Sequence, residues 1–584
     1  MIKKLFRQML VTQIISAMTV MICMLVDNIM IGRFLGVPSM TAYGLVTPVL
    51  LVFAAVGSMI SAGIQVMCGK TMGNGDREAT NACFTASVFL ASIVSFGGLA
   101  LCLIFASPLS TMLGAGTPSA DNEVFYLTKD YLIGFITCAP AFVFAQIMIP
   151  YMQISGNRKR LVTAVALMTF ADIAGDILNV FVFKGGIFGM GLASSISYYV
   201  AFTVGILYFF KKDCIFKFRK KLLDRASCLT LLKYGIPTVI NQICLVLIVF
   251  VFNKLLLSVR GDDAVAAYSV ISTIGNLCYS FGTGIATVAL MLSAIFYSDK
   301  DKTALRLLVK TMVYYAVVIN AVVTGVILLA APPLIDLFLK SKEETRELAI
   351  LGLRLFSLSL IPCALNTSLK NYYQGVNRTR FTEIISVLQN FAITALFAFI
   401  LSYPLGTTGV WLGFLCGETV TLLIISIVVW IRNKKVSFSV NAYSLLPDGF
   451  GVDDKDCFEE QITGASDVVA VSQKASDFCV AHKQTPKFCY MIALCIEEMT
   501  NNIVKHGFTA DGKEHNIDVR LMIKDDERII RIRDNCVNFD PVKYMELHAK
   551  DDAASHIGIR MVMSVVKDAN YVNSLGLNNL TLKI

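Results

Sequence analysis

Acidic side chains are scarce in the apolar parts of this sequence, so the few that occur there are the first candidates for chemistry. Asp27 stands near the end of the first apolar run, Asp172 and Asp176 stand in the fifth, and Ser194 follows early in the sixth. A spacing of four puts Asp172 and Asp176 on one helix face. An ionisable group in mid-bilayer costs several kcal/mol unless paired or solvated, and such groups are functional by default. Three carboxylates and a hydroxyl offer hard oxygen ligands to Na⁺. Crowded together, the same carboxylates resist simultaneous ionisation and can share protons. Either behaviour would couple the chain to an ion gradient. The bland alternative makes Asp27 a helix cap and leaves the other two facing interfacial water. A second stretch, EEMTNNIVKHG at 497–507, puts Glu498 and Asn502 one turn apart on a helix, followed by Lys505 and His506. Taken alone, that is an i,i+4 pair of a kind common on any helix.

The elements that position these residues are legible in the composition. The 584 residues are 55% apolar with a mean hydropathy of +0.66, which indicates the membrane class. Sixteen cysteines show no CxxC pairing and lie mostly in apolar runs, as buried thiols in a reducing setting do. No cleavage site follows MIKKLFRQML, so the first apolar run is expected to stay. The net charge of +9 divides unevenly: residues 448–584 carry 16 Lys/Arg against 22 Asp/Glu, and the rest carries 35 against 20. A basic membrane part joined to an acidic soluble part follows. Nucleic acid is not an expected partner, because the positive charges sit in short loops between apolar runs.

Twelve apolar stretches approach the ~20 residues that a bilayer core requires. They fall at about 9–30, 45–69, 83–106, 126–150, 161–183, 187–210, 229–256, 264–296, 308–332, 348–372, 381–402 and 408–431. Basic loops alternate between them. The N-terminus, NRKR (157–160), KKDCIFKFRKK (211–221), KDKTALR (300–306) and RNKK (432–435) share one side, and few charges mark the other. The positive-inside rule makes that side, with both termini, cytoplasmic in a multi-pass plasma-membrane protein.

The bundle repeats itself. NIMIGRFLGVPSMTAY (28–43) resembles NKLLLSVRGDDAVAAY (253–268) at an offset of 225. YMQISGNRKR (151–160) resembles YYQGVNRTR (372–380) and GIFGMGL (186–192) resembles GTTGVWL (406–412), both at 220. Parallel six-helix halves are a transporter signature, with the binding region between or within them. The expected organisation is a first lobe at 1–210, a linker at 211–228, a second lobe at 229–435, a linker at 436–454 and a soluble α+β domain at 455–584. In the tail, Thr485 and Pro486 open a long helix. NIDVRLMI and RIIRIRD alternate as strands around the turn KDDE (524–527), a helix follows at about 556–567, and NNLTLKI closes the chain.

LVDNIMIGRFLGVPSMTAYGLVTPV, GKTMGNGDREA, QISGNRKR and DILNVFVFKGGIFGMGLASSISYY resemble the multidrug and toxic compound extrusion (MATE) family over about residues 5–435. The resemblance implies an all-α bundle of twelve transmembrane helices in two lobes, exporting small organic, mainly cationic solutes against inward Na⁺ or H⁺. It also implies a first-lobe cation site in which Asp27, Asp172, Asp176 and Ser194 match the family's aspartate, its asparagine–aspartate pair and a threonine. Here Asp172 replaces the asparagine and Ser194 the threonine, which leaves Na⁺ or H⁺ open. In the second lobe Phe252 stands opposite Asp27, and Lys254 is the notable cation. Asn241, Gln242, Asn390 and Glu418 are candidates to line the solute cavity, or equally to bond helix to helix.

The tail resembles the GHKL ATP-binding domain of the anti-sigma-factor serine kinase type over about 455–584. That implies ATP and Mg²⁺ as cofactors. Glu498 would be the catalytic carboxylate of the N box, Asn502 its Mg²⁺ ligand, Asp534 in RDNCVNFDP the adenine acceptor, Gly558 in HIGIRMV part of the phosphate-facing glycine box, and Thr581 a neighbour of adenine. Cys536 and His556 stand where glycine is usual, which puts the phosphate lid and kinase activity in question. A small anti-anti-sigma-type protein is the partner expected if that activity survives. Two other functions fit the same features: a lipid-linked precursor flippase, and a membrane-anchored signalling kinase with a solute-sensing bundle.

Overall fold

Ten helices are long and apolar enough to cross a bilayer, and two bent pairs bring the crossings to twelve among the described residues. The computed structural model describes residues 2–119, 121–211, 214–338, 343–434, 436–437, 439–508, 514–524, 527–548 and 557–584. The first lobe comprises span 1 (Ile2–Leu35), span 2 (Pro38–Gly73), span 3 (Arg77–Ile104), the pair Glu123–Ile136 and Ala139–Ile154 as span 4, span 5 (Arg158–Phe183) and span 6 (Gly186–Phe209). The second comprises span 7 (Arg225–Arg260), span 8 (Asp263–Ser298), span 9 (Lys302–Leu337), the pair Glu343–Leu358 and Leu360–Gly375 as span 10, span 11 (Thr379–Leu405) and span 12 (Thr407–Arg432). Each expected apolar stretch falls on one of these elements, and the basic loops gather on the face from which the tail emerges.

Sequence reading shows spans 4 and 10 as unbroken. They bend by 45° and 43° at matching positions of the two halves. Pro140 and Pro362 stand just past the breaks, where each removes a backbone donor and crowds the preceding turn. At the breaks a hydroxyl folds back onto the turn before it: Thr137 donates to the Gly134 oxygen at 2.8 Å and Ser359 to that of Phe356 at 2.7 Å.

On the tail face the two lobes meet through spans 2, 7 and 8. A side chain on Gly63 would collide with the Leu231 carbonyl, and a Cβ on Gly73 would stand 2.6 Å from the Ile295 oxygen. Ser298 donates to the Lys70 carbonyl at 2.6 Å across the same seam.

The tail is a five-stranded antiparallel sheet in the order β1-β2-β3-β5-β4, with β1 Cys457–Ile462, β2 Ile517–Lys524, β3 Glu527–Asp534, β4 Asp568–Ser574 and β5 Leu577–Lys583. Helices α1 (Ala465–Ala481), α2 (Pro486–Gly507), α3 (Pro541–Leu547) and α4 (Ile557–Val565) accompany it. Thr485 caps α2 by accepting from the Phe488 amide at 3.3 Å. Strand alternation divides the sheet's residues. Val519, Leu521, Ile530, Ile532, Leu580 and Leu582 pack with α1 and α2 in one core, while Arg520, Arg531 and Arg533 occupy the other face.

That arginine face rests on the bundle. Asp299 and Asp301, in the loop between spans 8 and 9, receive it: Arg533 lies 3.0 Å from Asp299, Arg531 3.5 Å from both aspartates, and Arg520 pairs with Asp301. Burial alone would raise the Asp301 carboxyl; Arg520, Arg531 and Arg533 outweigh it and hold that group below the usual range. The first lobe is gripped as well. Arg77 pairs with Asp540 at 2.8 Å, and Arg158 donates to the Leu575 carbonyl at 2.8 Å.

The seam between lobes generates a stability prediction. Gly63→Ala should cost about 1–3 kcal/mol, the usual penalty of forcing atoms into a packed contact. A lower melting temperature of the detergent-purified protein would register it.

Candidate functional site

The first-lobe candidates converge. Asp27, Asp172, Asp176 and Ser194 are all buried, with Asp176 fully so. Asp172 lies near Ser194, Ser197 and Cys23, and Asp27 faces Asp176. Neither oxygen of Asp176, nor Oδ1 of Asp27, receives a hydrogen bond from another group. Unsatisfied acceptors of this kind demand a proton or a cation. Two carboxyls in contact specifically suit a shared proton. Among the described residues no three His, Cys, Asp or Glu side chains converge as a metal-binding set. Just past Asp176, the span widens into a π turn at Asn179–Phe183, an irregularity frequent at functional sites.

The corresponding place in the second lobe is apolar. By the repeat offsets, Phe252 matches Asp27 and Phe414 matches Ser194. Their rings stand 4.6 Å apart, with Tyr268 packed against both. Polar side chains gather elsewhere in this lobe, around a cation that sequence reading missed. Lys370 is buried and donates to Asn241 at 2.5 Å and to Gln389 at 3.3 Å. Gln389 in turn donates to Glu418 at 3.3 Å, Asn366 donates to the other Glu418 oxygen at 2.8 Å, and Asn390 reaches Asn241 at 2.7 Å. Asn241, Asn390 and Glu418 are therefore partners between helices. Gln242 is only half-buried and stands outside this network. Lys254, the cation singled out from the sequence, is exposed. Lys370 was overlooked because it lies near the end of its apolar stretch, where a flanking lysine is ordinary.

The tail holds a cavity of about 560 Å³, a size usual for small-molecule sites. Glu498, Asn502, Asp534 and Gly558 all line it, and Met499, Ile503 and Leu580 supply apolar wall. Helix α2 carries Glu498 and Asn502 on one face. A Cβ on Gly558 would run into the Glu498 carboxyl and push it out of its present position in the cavity. Asp534 ends β3 and accepts from the Cys536 amide at 2.9 Å and from Asn578 at 2.8 Å. Burial raises its carboxyl above the ordinary value, against the pull of these donors. Cys536 also lines the cavity, and His556 lies outside the described residues.

Thr581 is a correction. It pairs with Arg531 across β3 and β5, so register places it on the arginine face and away from the cavity. Asn578, three residues earlier, takes the position beside Asp534 and also accepts from the Tyr571 hydroxyl at 2.6 Å. Neither Asn578 nor Tyr571 carried a motif that would have singled it out.

The second-lobe network yields a double-mutant test. Lys370→Met should cost about 3 kcal/mol, because Glu418 loses its buried counter-charge. Adding Glu418→Gln should recover most of it, as read by thermal unfolding in detergent.

Comparison with known proteins places the bundle. The MatE family model matches residues 13–178 and 237–400, one segment in each lobe. The chain is similar to the multidrug export protein MepA of Staphylococcus aureus, 23% identical over 403 residues that cover 68% of this chain and 86% of the relative. It is also similar to the probable multidrug resistance protein YoeA of Bacillus subtilis, 24% identical over 416 residues that cover 69% and 88%. Among solved structures, an outward-facing multidrug resistance MATE family transporter of the MOP superfamily superposes with a TM-score of 0.69 at 20% identity, over 76% of this chain and 97% of that one.

Proposed function

The chain belongs to the MatE family, and we propose that it exports small organic cations in exchange for protons and carries an ATP-binding regulatory domain on its cytoplasmic face. The single observation that supports ion coupling is the buried carboxyl group of three without a cation beside it. In the apolar second lobe the equivalent place is filled by aromatic rings, so coupling rests on the first lobe alone. Asp27 and Asp176 hold a proton between them, and the nearby carboxyl of Asp172 adjusts how readily it leaves. The multidrug export and probable multidrug resistance names borne by MepA and YoeA support an organic solute, and the basic loops support a cytoplasmic tail face. Na⁺ in place of the proton is the second reading, favoured by the oxygens of Asp172 and Ser194. A flippase would suit a basic cavity; the one buried lysine among the described residues of the bundle, Lys370, is already engaged with amides, which weighs against that function.

The tail's cavity supports a nucleotide reading of the GHKL type. Asp534 would accept the adenine amino group, Asn502 would offer its amide oxygen to Mg²⁺, and Gly558 would let the phosphates approach. ATP would supply binding energy to a regulator, and a phosphoryl group if the domain is also a serine kinase acting on an anti-anti-sigma-type protein. In that case Glu498 would orient the incoming hydroxyl. In this reading ATP regulates, and the ion gradient supplies the energy for transport.

Two measurements test these assignments. Asp27→Asn with Asp176→Asn should abolish ethidium transport driven by a pH gradient in proteoliposomes, and wild-type exchange by that double mutant would remove the site. A Na⁺ gradient replacing the pH gradient in the same vesicles separates the two readings. Calorimetry on the full chain should show Mg²⁺-ATP binding that weakens about tenfold to a hundredfold with Asp534→Ala. Binding should also weaken on acidification, because the adenine amine needs the carboxylate. With its carboxyl raised by burial, Asp534 takes up its proton above the ordinary 3.8.

A further inference from the structure

We propose that the tail is a nucleotide-released clamp that joins the two lobes on the tail face and arrests the transport cycle until ATP binds. The proposal rests on the nucleotide reading of the Asp534 cavity.

Alternating access requires the two lobes to part on each face in turn. On the tail face they are packed together through spans 2, 7 and 8, and the tail spans both. Its grip on the second lobe is the arginine–aspartate cluster, whose side chains are between 4% and 11% exposed. Its grip on the first lobe adds three further contacts to that of Arg158 with the Leu575 carbonyl. Arg77 holds Asp540 and the Tyr571 carbonyl, the Leu575 amide donates to the Ile154 carbonyl at 2.5 Å, and Asn570 donates to the Asn74 carbonyl at 3.5 Å. Parting the lobes on this face would have to break one grip or the other.

The cavity is wired to both grips by neighbouring residues. On β3, consecutive side chains point to opposite faces, so Arg533 holds Asp299 of the second lobe while Asp534 lines the cavity. On β4, the Tyr571 carbonyl accepts from Arg77 of the first lobe at 3.2 Å, while its hydroxyl donates to Asn578, the residue that donates to Asp534. In the clamped arrangement Asn578 already engages Asp534. Asn578 and the Cys536 amide share one oxygen of Asp534, Oδ1; an adenine amine that takes the place of Asn578 there frees Tyr571 from its partner and loosens the contact with Arg77. Nucleotide therefore binds the released arrangement better than the clamped one. By linkage, anything that weakens the clamp must also tighten nucleotide binding.

The test uses the full chain in proteoliposomes with ethidium, a pH gradient and Mg²⁺-ATP on the tail side. Wild-type flux should rise about fivefold or more with ATP. Asp299→Asn with Asp301→Asn should give the raised flux without ATP and, in calorimetry, tighter ATP binding by a similar factor. Asn74→Cys with Asn570→Cys, oxidised to a disulfide, should lose the ATP response and regain it on reduction. The cross-link keeps the tail's own fold and all five charged side chains, so it reports even if the aspartate variant fails to fold. Unchanged flux and ATP affinity in the folded aspartate variant, or a full ATP response in the oxidised cross-linked protein, overturns the clamp. Absence of ATP binding to the wild type overturns the nucleotide reading itself and the control with it, whatever the cross-link does to flux.

Discussion

A carboxylate withdrawn from water needs a counter-charge, a proton or a cation, and this chain meets that need in three different ways. In the first lobe, Asp27 and Asp176 face each other with oxygens that no side-chain donor reaches. In the second, Glu418 is reached by amides and connected through Gln389 to Lys370. At the junction with the tail, Asp299 and Asp301 are surrounded by three arginines. Only the first arrangement leaves the demand open to something from outside the chain. The second is closed by a tethered ammonium and the third by a neighbouring domain. A duplicated architecture has thus been made electrostatically unequal by how its charges are neutralised.

The spans and their grouping were legible because a run of about 20 apolar residues has few alternatives to crossing a bilayer, and the repeated loops revealed the two halves. The first-lobe cluster of buried acids was legible for the same reason, since acids are conspicuous in such runs. The bends of spans 4 and 10 were not, because a proline near a helix break reads like one within a continuous span. Lys370 was hidden by its place near the end of an apolar stretch. In the tail, Glu498, Asn502, Asp534 and Gly558 fall around one cavity, as the resemblance to the GHKL type implied. Thr581 does not, because which face a strand residue takes depends on register, and register is set by a partner strand far away in sequence. Strand β1, CFEEQI, lacks apolar alternation and escaped notice, as did β4.

The arginine face shows a further limit of pattern reading. Arg520, Arg531 and Arg533 alternate with apolar residues as they would on a strand with one wet face. The structure buries them instead, because the bundle's Asp299 and Asp301 lie opposite. Nothing in the strand itself distinguishes a solvated charged face from one reserved for a partner domain.

The segment between the bundle and the tail has its own consequence. Ser444 and Leu445 are pinned under the second lobe, where Tyr372 donates to the Ser444 carbonyl at 3.0 Å, Arg378 donates to that of Leu445 at 2.7 Å, and Phe450 stacks on Tyr297. Only a few residues separate this anchor from β1. With so short a tether the domain cannot diffuse away when its ionic contacts open, and its effective concentration at the docking loops stays in about the millimolar range. Docking and undocking are then unimolecular, and their balance is independent of how many copies of the chain the membrane holds.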